Sequence, residues 1–91
     1  MRYEVHIHQK ARKSLSRLPL GKQKGIIALL ESMVENPRPD GCIKLGGKLD
    51  GLYRIRSGNY RVVYQVKDKE LIVFVLRIGK RGDIYLGNID V

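Results

Sequence analysis

Acidic side chains are scarce in these 91 residues: nine Asp and Glu stand against eighteen Lys and Arg, for a formal charge of +9. Such an imbalance costs self-repulsion, and a polyanionic partner is the simplest reason to keep it. Cysteine is nearly absent. Cys42 stands alone, which excludes an internal disulfide and suits a reducing compartment. No apolar run approaches the roughly 20 residues of a membrane-spanning helix. The first residues pass straight into alternating sequence without a signal-peptide pattern. A cytoplasmic protein with no membrane partner is therefore expected. Repeats, low-complexity tracts and linkers are also missing, and this length supports one modest core, not two. A single domain over residues 1–91 is expected. Nucleophile motifs are lacking as well: there is no G-x-S-x-G, and Cys42 has no histidine near it in sequence. "GGKLDG" at 46–51 lacks the spacing and the Ser or Thr of a phosphate-binding loop.

What is present is organised by period. "RYEVHIH" (2–8) alternates as a half-buried strand, with Tyr3, Val5 and Ile7 on one side. Ala11, Leu15 and Leu18 then fall at helical spacing, with Lys10, Arg12, Lys13 and Arg17 off the apolar stripe. "LPLG" breaks this helix. A second follows through Ile26, Leu29, Leu30, Met33 and Val34, and "NPRPDG" (36–41) ends it. After a glycine-rich loop the pattern is all strand: Leu52–Arg56, a tight "SGN" turn, Tyr60–Val66, a "KDKE" turn, and Leu71–Ile78. The last run, "LIVFVLRI", is nearly all apolar, as expected of a central strand buried on both faces. The predicted fold is α+β, in the order β-α-α-β-β-β. It is a small antiparallel sheet with two N-terminal helices packed on one face and the other face partly open.

Strand parity concentrates attention on arginine. Arg54 and Arg56 share a face, opposite Tyr53 and Ile55. On the next strand Arg61, Val63 and Gln65 share one. If the hairpin closes around "SGN", Arg56 and Arg61 are neighbours across it, and like charges so placed are destabilising. An anion held between them would reconcile the arrangement, since the guanidinium fork binds phosphate oxygens in pairs. Arg81, just past the third strand, is placed to close such a cage. The competing reading has these arginines solvated and paired with Asp50, Asp68 or Asp83. His6 and His8 share a strand face, but no third metal ligand is evident. The helix pair offers few base-reading side chains for DNA.

The run "LYRIRSGNYRVVYQVKDKELIVFVLRIGKRGDIY", with its "Y-R-I-R-x-G-x-Y-R" core and its "NPRPDGCIKLGGKLDG" lead-in, resembles the RelE/ParE toxin superfamily, and RelE-type toxins most closely. That resemblance implies one toxin domain, from a type II toxin–antitoxin pair, that enters the ribosomal A site and cuts mRNA. The ribose 2′-OH would attack its own phosphate, without a metal or other cofactor. It implies Arg61 as the holder of the scissile phosphate, Arg81 as a second catalytic arginine, and Tyr85 as a base-stacking or proton-transfer group. Arg54 and Arg56 stand where the family's lysines are known. An arginine does not give up its proton, so these two would act electrostatically, and the general base falls to Tyr85, Lys80, Lys48 or water. Lys44, Lys48, Lys80, Lys10, Arg12, Lys13 and Arg17 are the expected RNA and ribosome contacts. The implied partners are an acidic RelB-like antitoxin, the ribosome and mRNA, with operator DNA reached only through the antitoxin complex. The alternative is a ParE-like inhibitor of DNA gyrase without nuclease activity.

Overall fold

The computed structural model describes residues 2–80 and, of the C-terminal segment, the backbone of 85–86 and 89–90. Strand β1 (Glu4–Ile7) leads into helix α1 (Gln9–Ser16), which is followed by α2 (Leu20–Ser32). The imidazole Nδ1 of His8 accepts the backbone N–H of Lys10 and caps α1, satisfying a donor that the helix itself leaves open. Pro19 stands at the start of α2, where its fixed φ, here −56°, suits a helix entrance and its missing N–H costs nothing. Then come the short strand β2 (Ile43–Lys44), a 3-10 turn (Gly47–Leu49) and strands β3 (Leu52–Ser57), β4 (Tyr60–Lys67) and β5 (Ile72–Lys80). Two short strands, β6 (Tyr85–Leu86) and β7 (Ile89–Asp90), pair antiparallel with each other.

The sheet order is β1-β5-β4-β3-β2. The α+β class and the strand–helix–helix–strands order are those expected from the sequence. The sheet is mixed rather than wholly antiparallel, because β1 lies parallel to β5, with Val5 opposite Val73. A parallel pair needs a long crossover, and both helices lie in it. The helices cover one face. Ala11, Leu15, Ile26 and Leu30 pack with Met33 onto Ile55, Val62, Tyr64, Val73, Val75 and Ile78.

The expectation that β5 is buried on both faces is corrected. Its burial alternates, with Val73 and Val75 enclosed and Phe74 half-exposed. The enclosed strand is β4, buried from Tyr60 through Tyr64. The reason lies in the segment between β2 and β3. Leu45 and Leu49 from that segment, with Leu52 at the start of β3, fold across the second face and close over Val63. The "partly open" face is therefore open only beyond this flap.

A polar clamp fixes the segment after α2 to the sheet. Arg38, after α2, donates from Nε to the Tyr53 hydroxyl (2.9 Å) and from both terminal nitrogens to the Asp68 carboxylate (3.2 and 2.7 Å). Tyr3 donates to the same carboxylate at 2.7 Å. Three segments distant in sequence meet at one carboxylate in the β4–β5 turn. The Arg38 hydrogen bonds, then that of Tyr3, hold the Asp68 pKa below the usual carboxylate value.

Candidate active site

The β3–β4 hairpin closes through Gly58 and Asn59, with Ser57 opposite Tyr60 and Gly58 at φ +61°, a backbone conformation suited to glycine. So tight a turn fixes the register, and Arg56 lies directly opposite Arg61. Arg54 lies opposite Val63 on the same face. These two residue pairs bring three arginines from two strands onto one side of the sheet, as strand parity predicts.

Their settings differ. Arg56 is exposed, and Arg61 keeps only 8% of its surface. Arg54 is half-buried, and its Nε is shielded from solvent with no hydrogen-bond partner among the described residues. A shielded N–H without an acceptor is costly to the fold. Arg56, Gly58, Asn59, Tyr60 and Arg61 line a concave pocket of about 200 Å³ at the hairpin end of this face. Asp68, a carboxylate that the competing reading pairs with the cluster, is engaged by Arg38 instead.

Among the described residues, two lysines lie close to residues that line the pocket. The Lys80 ammonium lies over the Tyr60 ring, 5.7 Å from its centroid. The Lys22 ammonium, from α2, comes within 3.9 Å of where a side chain on Gly58 would begin. Lys22 is not among the residues expected from the sequence. Nothing in the local pattern of α2 ties it to a turn more than thirty residues away.

The other expected contacts are dispersed. Lys48 sits exposed on the 3-10 turn of the flap. Lys44 lies opposite Tyr53 on the edge strand, and so by parity belongs to the other side of the sheet. Lys10, Arg12, Lys13 and Arg17 are exposed around α1, whose buried residues Ala11 and Leu15 face the helix-covered side of the sheet. They form a separate basic surface, not a wall of the pocket. Arg81 lies outside the described residues, as does the side chain of Tyr85, whose backbone is in β6. His6 contacts Glu4 at 3.1 Å and His8 is taken up by the α1 cap.

One arginine on this face is not signalled by the sequence pattern. Between the Val63–Arg77 and Tyr64–Val75 pairs the register slips, leaving Leu76 as an extra residue in β5. Strict alternation from Val73 and Val75 would send residue 77 under the helices. The bulge reverses the parity, so Arg77 joins the face of Val63 and Arg54, and Ile78 returns to the core.

A basic pocket of this shape and origin can grip a phosphate diester and stabilise charge developing on it. Comparison with known proteins agrees with the fold. A family model described as "ParE toxin of type II toxin-antitoxin system, parDE" matches residues 5–85. The chain is 36% identical over 83 residues to the mRNA interferase toxin RelE of Escherichia coli K12, spanning 89% of this chain and 85% of that one. A chain in the crystal structure of the archaeal RelE–RelB complex from Pyrococcus horikoshii superposes with a TM-score of 0.80 at 33% identity. That match covers 92% of this chain and 100% of that one. A chain of the intact E. coli RelBE toxin–antitoxin complex superposes at 0.71 with 30% identity, over 86% and 95% of the two chains. With its sheet order, its arginine hairpin and these relatives in agreement, the chain belongs to the RelE/ParE superfamily of type II toxin–antitoxin toxins, as a RelE-like member.

Proposed function

We propose that the whole 91-residue chain acts as one toxin domain that cuts mRNA in the ribosomal A site. The observation that carries this reading is the direct opposition of Arg56 and Arg61 at the wall of an open, phosphate-sized pocket. Like charges so placed repel, and a phosphate held between the two guanidinium forks binds both.

In the proposed reaction the ribose 2′-oxygen attacks the adjacent phosphorus. A P–O2′ bond forms and the P–O5′ bond breaks, leaving a 2′,3′-cyclic phosphate and a 5′-OH. The 2′-OH proton passes to a base, and the departing 5′-oxygen takes one up. Arg61, nearly enclosed, holds the non-bridging oxygens where a low dielectric strengthens the ionic contact. Arg56 adds charge from the facing strand. Arg54, on the same face two residues farther from the turn, adds positive charge as the pentacoordinate phosphorane forms. As permanent cations these arginines stabilise charge and do not abstract the proton. The base is drawn from Tyr85, Lys80, Lys48 or water, and Arg81 completes the cage. The nucleophile belongs to the substrate and the charge is met by guanidinium, so the chemistry requires no metal.

The basic surface of α1 serves as one docking surface for ribosomal RNA, with Lys44 and Lys48 as separate contacts elsewhere on the molecule. The partner that silences the toxin is an acidic RelB-like antitoxin, in keeping with the RelE–RelB complexes solved for relatives. Operator DNA is met only through that complex. The site of action is the cytoplasm, and no described helix is long and apolar enough to cross a membrane.

A second reading, a ParE-like gyrase inhibitor, is favoured by the description of the matched family model. One experiment separates the two. Programmed ribosomes are incubated with the protein and mRNA ends are mapped by primer extension. Breaks within the A-site codon are expected, and Arg61→Ala should slow them by about 100-fold or more if it stabilises transition-state charge. Intact mRNA together with trapped gyrase–DNA complexes would transfer the assignment to the second reading.

A further inference from the structure

The bulge at Leu76 has a cost and an effect. It interrupts the β4–β5 ladder in the middle of the sheet, where pairing is otherwise continuous from Tyr60 to Lys67. Its effect is to take a cation that alternation would bury under the helices and add it to a face already carrying Arg54, Arg56 and Arg61. For folding alone this is a poor exchange, because an apolar residue at 77 in an unbulged strand would serve the core. The exchange makes sense if the side chain is wanted on the arginine face.

We infer that Arg77 is an RNA-phosphate ligand, holding the phosphate next to the one gripped by Arg61. The inference rests on the nuclease reading above and extends its substrate site. Arg77 pairs with Val63 and Arg61 pairs with Gly79, so the two arginines are diagonal neighbours on adjacent strands. Diagonal positions lie roughly 7–8 Å apart, within reach of long side chains. Arg77 sits farther from the hairpin turn than Arg61, beyond the row of Arg56 and Arg61 that lines the pocket. This position suits the chain of RNA leading away from the scissile linkage. Its Nη1 donates to the Leu76 carbonyl oxygen at 2.7 Å, so the bulge that turns the side chain also steadies its fork. A half-buried, tethered arginine loses less freedom on gripping phosphate than a free surface lysine does.

The test uses a short single-stranded RNA whose nucleotide at the cleavage position is 2′-deoxy, so that it binds without being cut. Affinity is measured across a series of salt concentrations. Arg77→Gln should weaken binding about 10-fold at low salt. It should also lower the slope of log affinity against log salt by about 0.7, the share of one phosphate contact on a single strand. Arg77→Lys should recover most of the slope. In cleavage assays Arg77→Gln should raise KM more than it lowers kcat, unlike Arg61→Ala. If Arg77→Gln proves unstable, the Arg77 Nε–Hε resonance of the wild-type protein is followed by NMR during titration with the same RNA, and a shift at the binding midpoint is expected. Unchanged affinity and slope in a folded Arg77→Gln, or a resonance indifferent to RNA, overturns the assignment and leaves the nuclease reading standing. Wild-type protein that does not bind the RNA at all also overturns the Arg77 assignment, whereas the nuclease reading falls only if mRNA on programmed ribosomes stays intact.

Discussion

Replacing Arg56 by glutamine should make the protein more stable and less active at once. Arg56 is exposed and stands directly across from Arg61 on the neighbouring strand. Directly opposed residues have Cβ atoms about 5 Å apart. Allowing the flexible stems to spread the two guanidinium groups to roughly 7 Å, Coulomb's law in water gives a repulsion of about 0.6 kcal/mol. That figure lies inside the ~0.2–1 kcal/mol span of cross-strand pair effects. For a domain of this size, 1 kcal/mol moves the melting temperature by about 4–8 °C, so Arg56→Gln should raise it by roughly 2–5 °C. The gain should shrink with salt, since the screening length falls from about 30 Å at 0.01 M to about 3 Å at 1 M. Thermal melts followed by circular dichroism at those two concentrations make the comparison. Activity should move the other way. A hydrogen bond to a charged group contributes about 1.5–3 kcal/mol, which corresponds to a loss of roughly 10- to 150-fold in mRNA cleavage. An Arg56→Gln protein that melts at or below the wild-type temperature in low salt would contradict this account. The two arginines would then not be in conflict in the free protein, and a bound phosphate would lose its main support.

Two further outcomes test the scaffold. Asp68 has a folded pKa held below its unfolded value of about 4 by Arg38 and Tyr3. Its contribution to stability is therefore present above that unfolded value and is lost as pH falls through the depressed folded pKa. Asp68→Asn should flatten this acid limb in melts run from pH 6 down to pH 2, and a limb identical to wild type would show that the clamp does not stabilise the fold. Deleting Leu76 should close the bulge and leave the faces as they are, because Arg77 then follows Val75 directly on the arginine face and Ile78 stays in the core. Only the half-buried Leu76 side chain is lost, so the thermal transition should stay cooperative, with a destabilisation of about 0.5–3 kcal/mol. Loss of the cooperative melt would show that the register slip does more than accommodate one extra residue.

The arginine hairpin is legible in the sequence because everything that places it is local. A glycine-containing turn of two residues sets the register, and a period of two assigns the faces, so turn chemistry and alternation are enough to put Arg54, Arg56 and Arg61 on one side. The helices are legible for the same reason. Arg77 is hidden in an apolar run whose alternation points it the wrong way. Lys22 lies in a helix with no local link to the hairpin. Leu45 and Leu49 of the flap read as part of a glycine-rich loop because these apolar residues follow no regular period.

Local periodicity and turn chemistry thus settle which segments become helix or strand, how the hairpin pairs, and which side of it carries the charge. They also carry the motif that places the chain in its superfamily. Contacts between distant segments settle the rest. These include the parallel docking of β1 on β5, the closure of the flap over Val63, and the meeting of Tyr3, Arg38 and Asp68. The slip at Leu76 that adds Arg77 to the site belongs with them. Each depends on which surfaces fit once the core is packed. A strand's own residues state its alternation, but where that alternation must break is dictated by the neighbour it pairs with and the helices it has to cover.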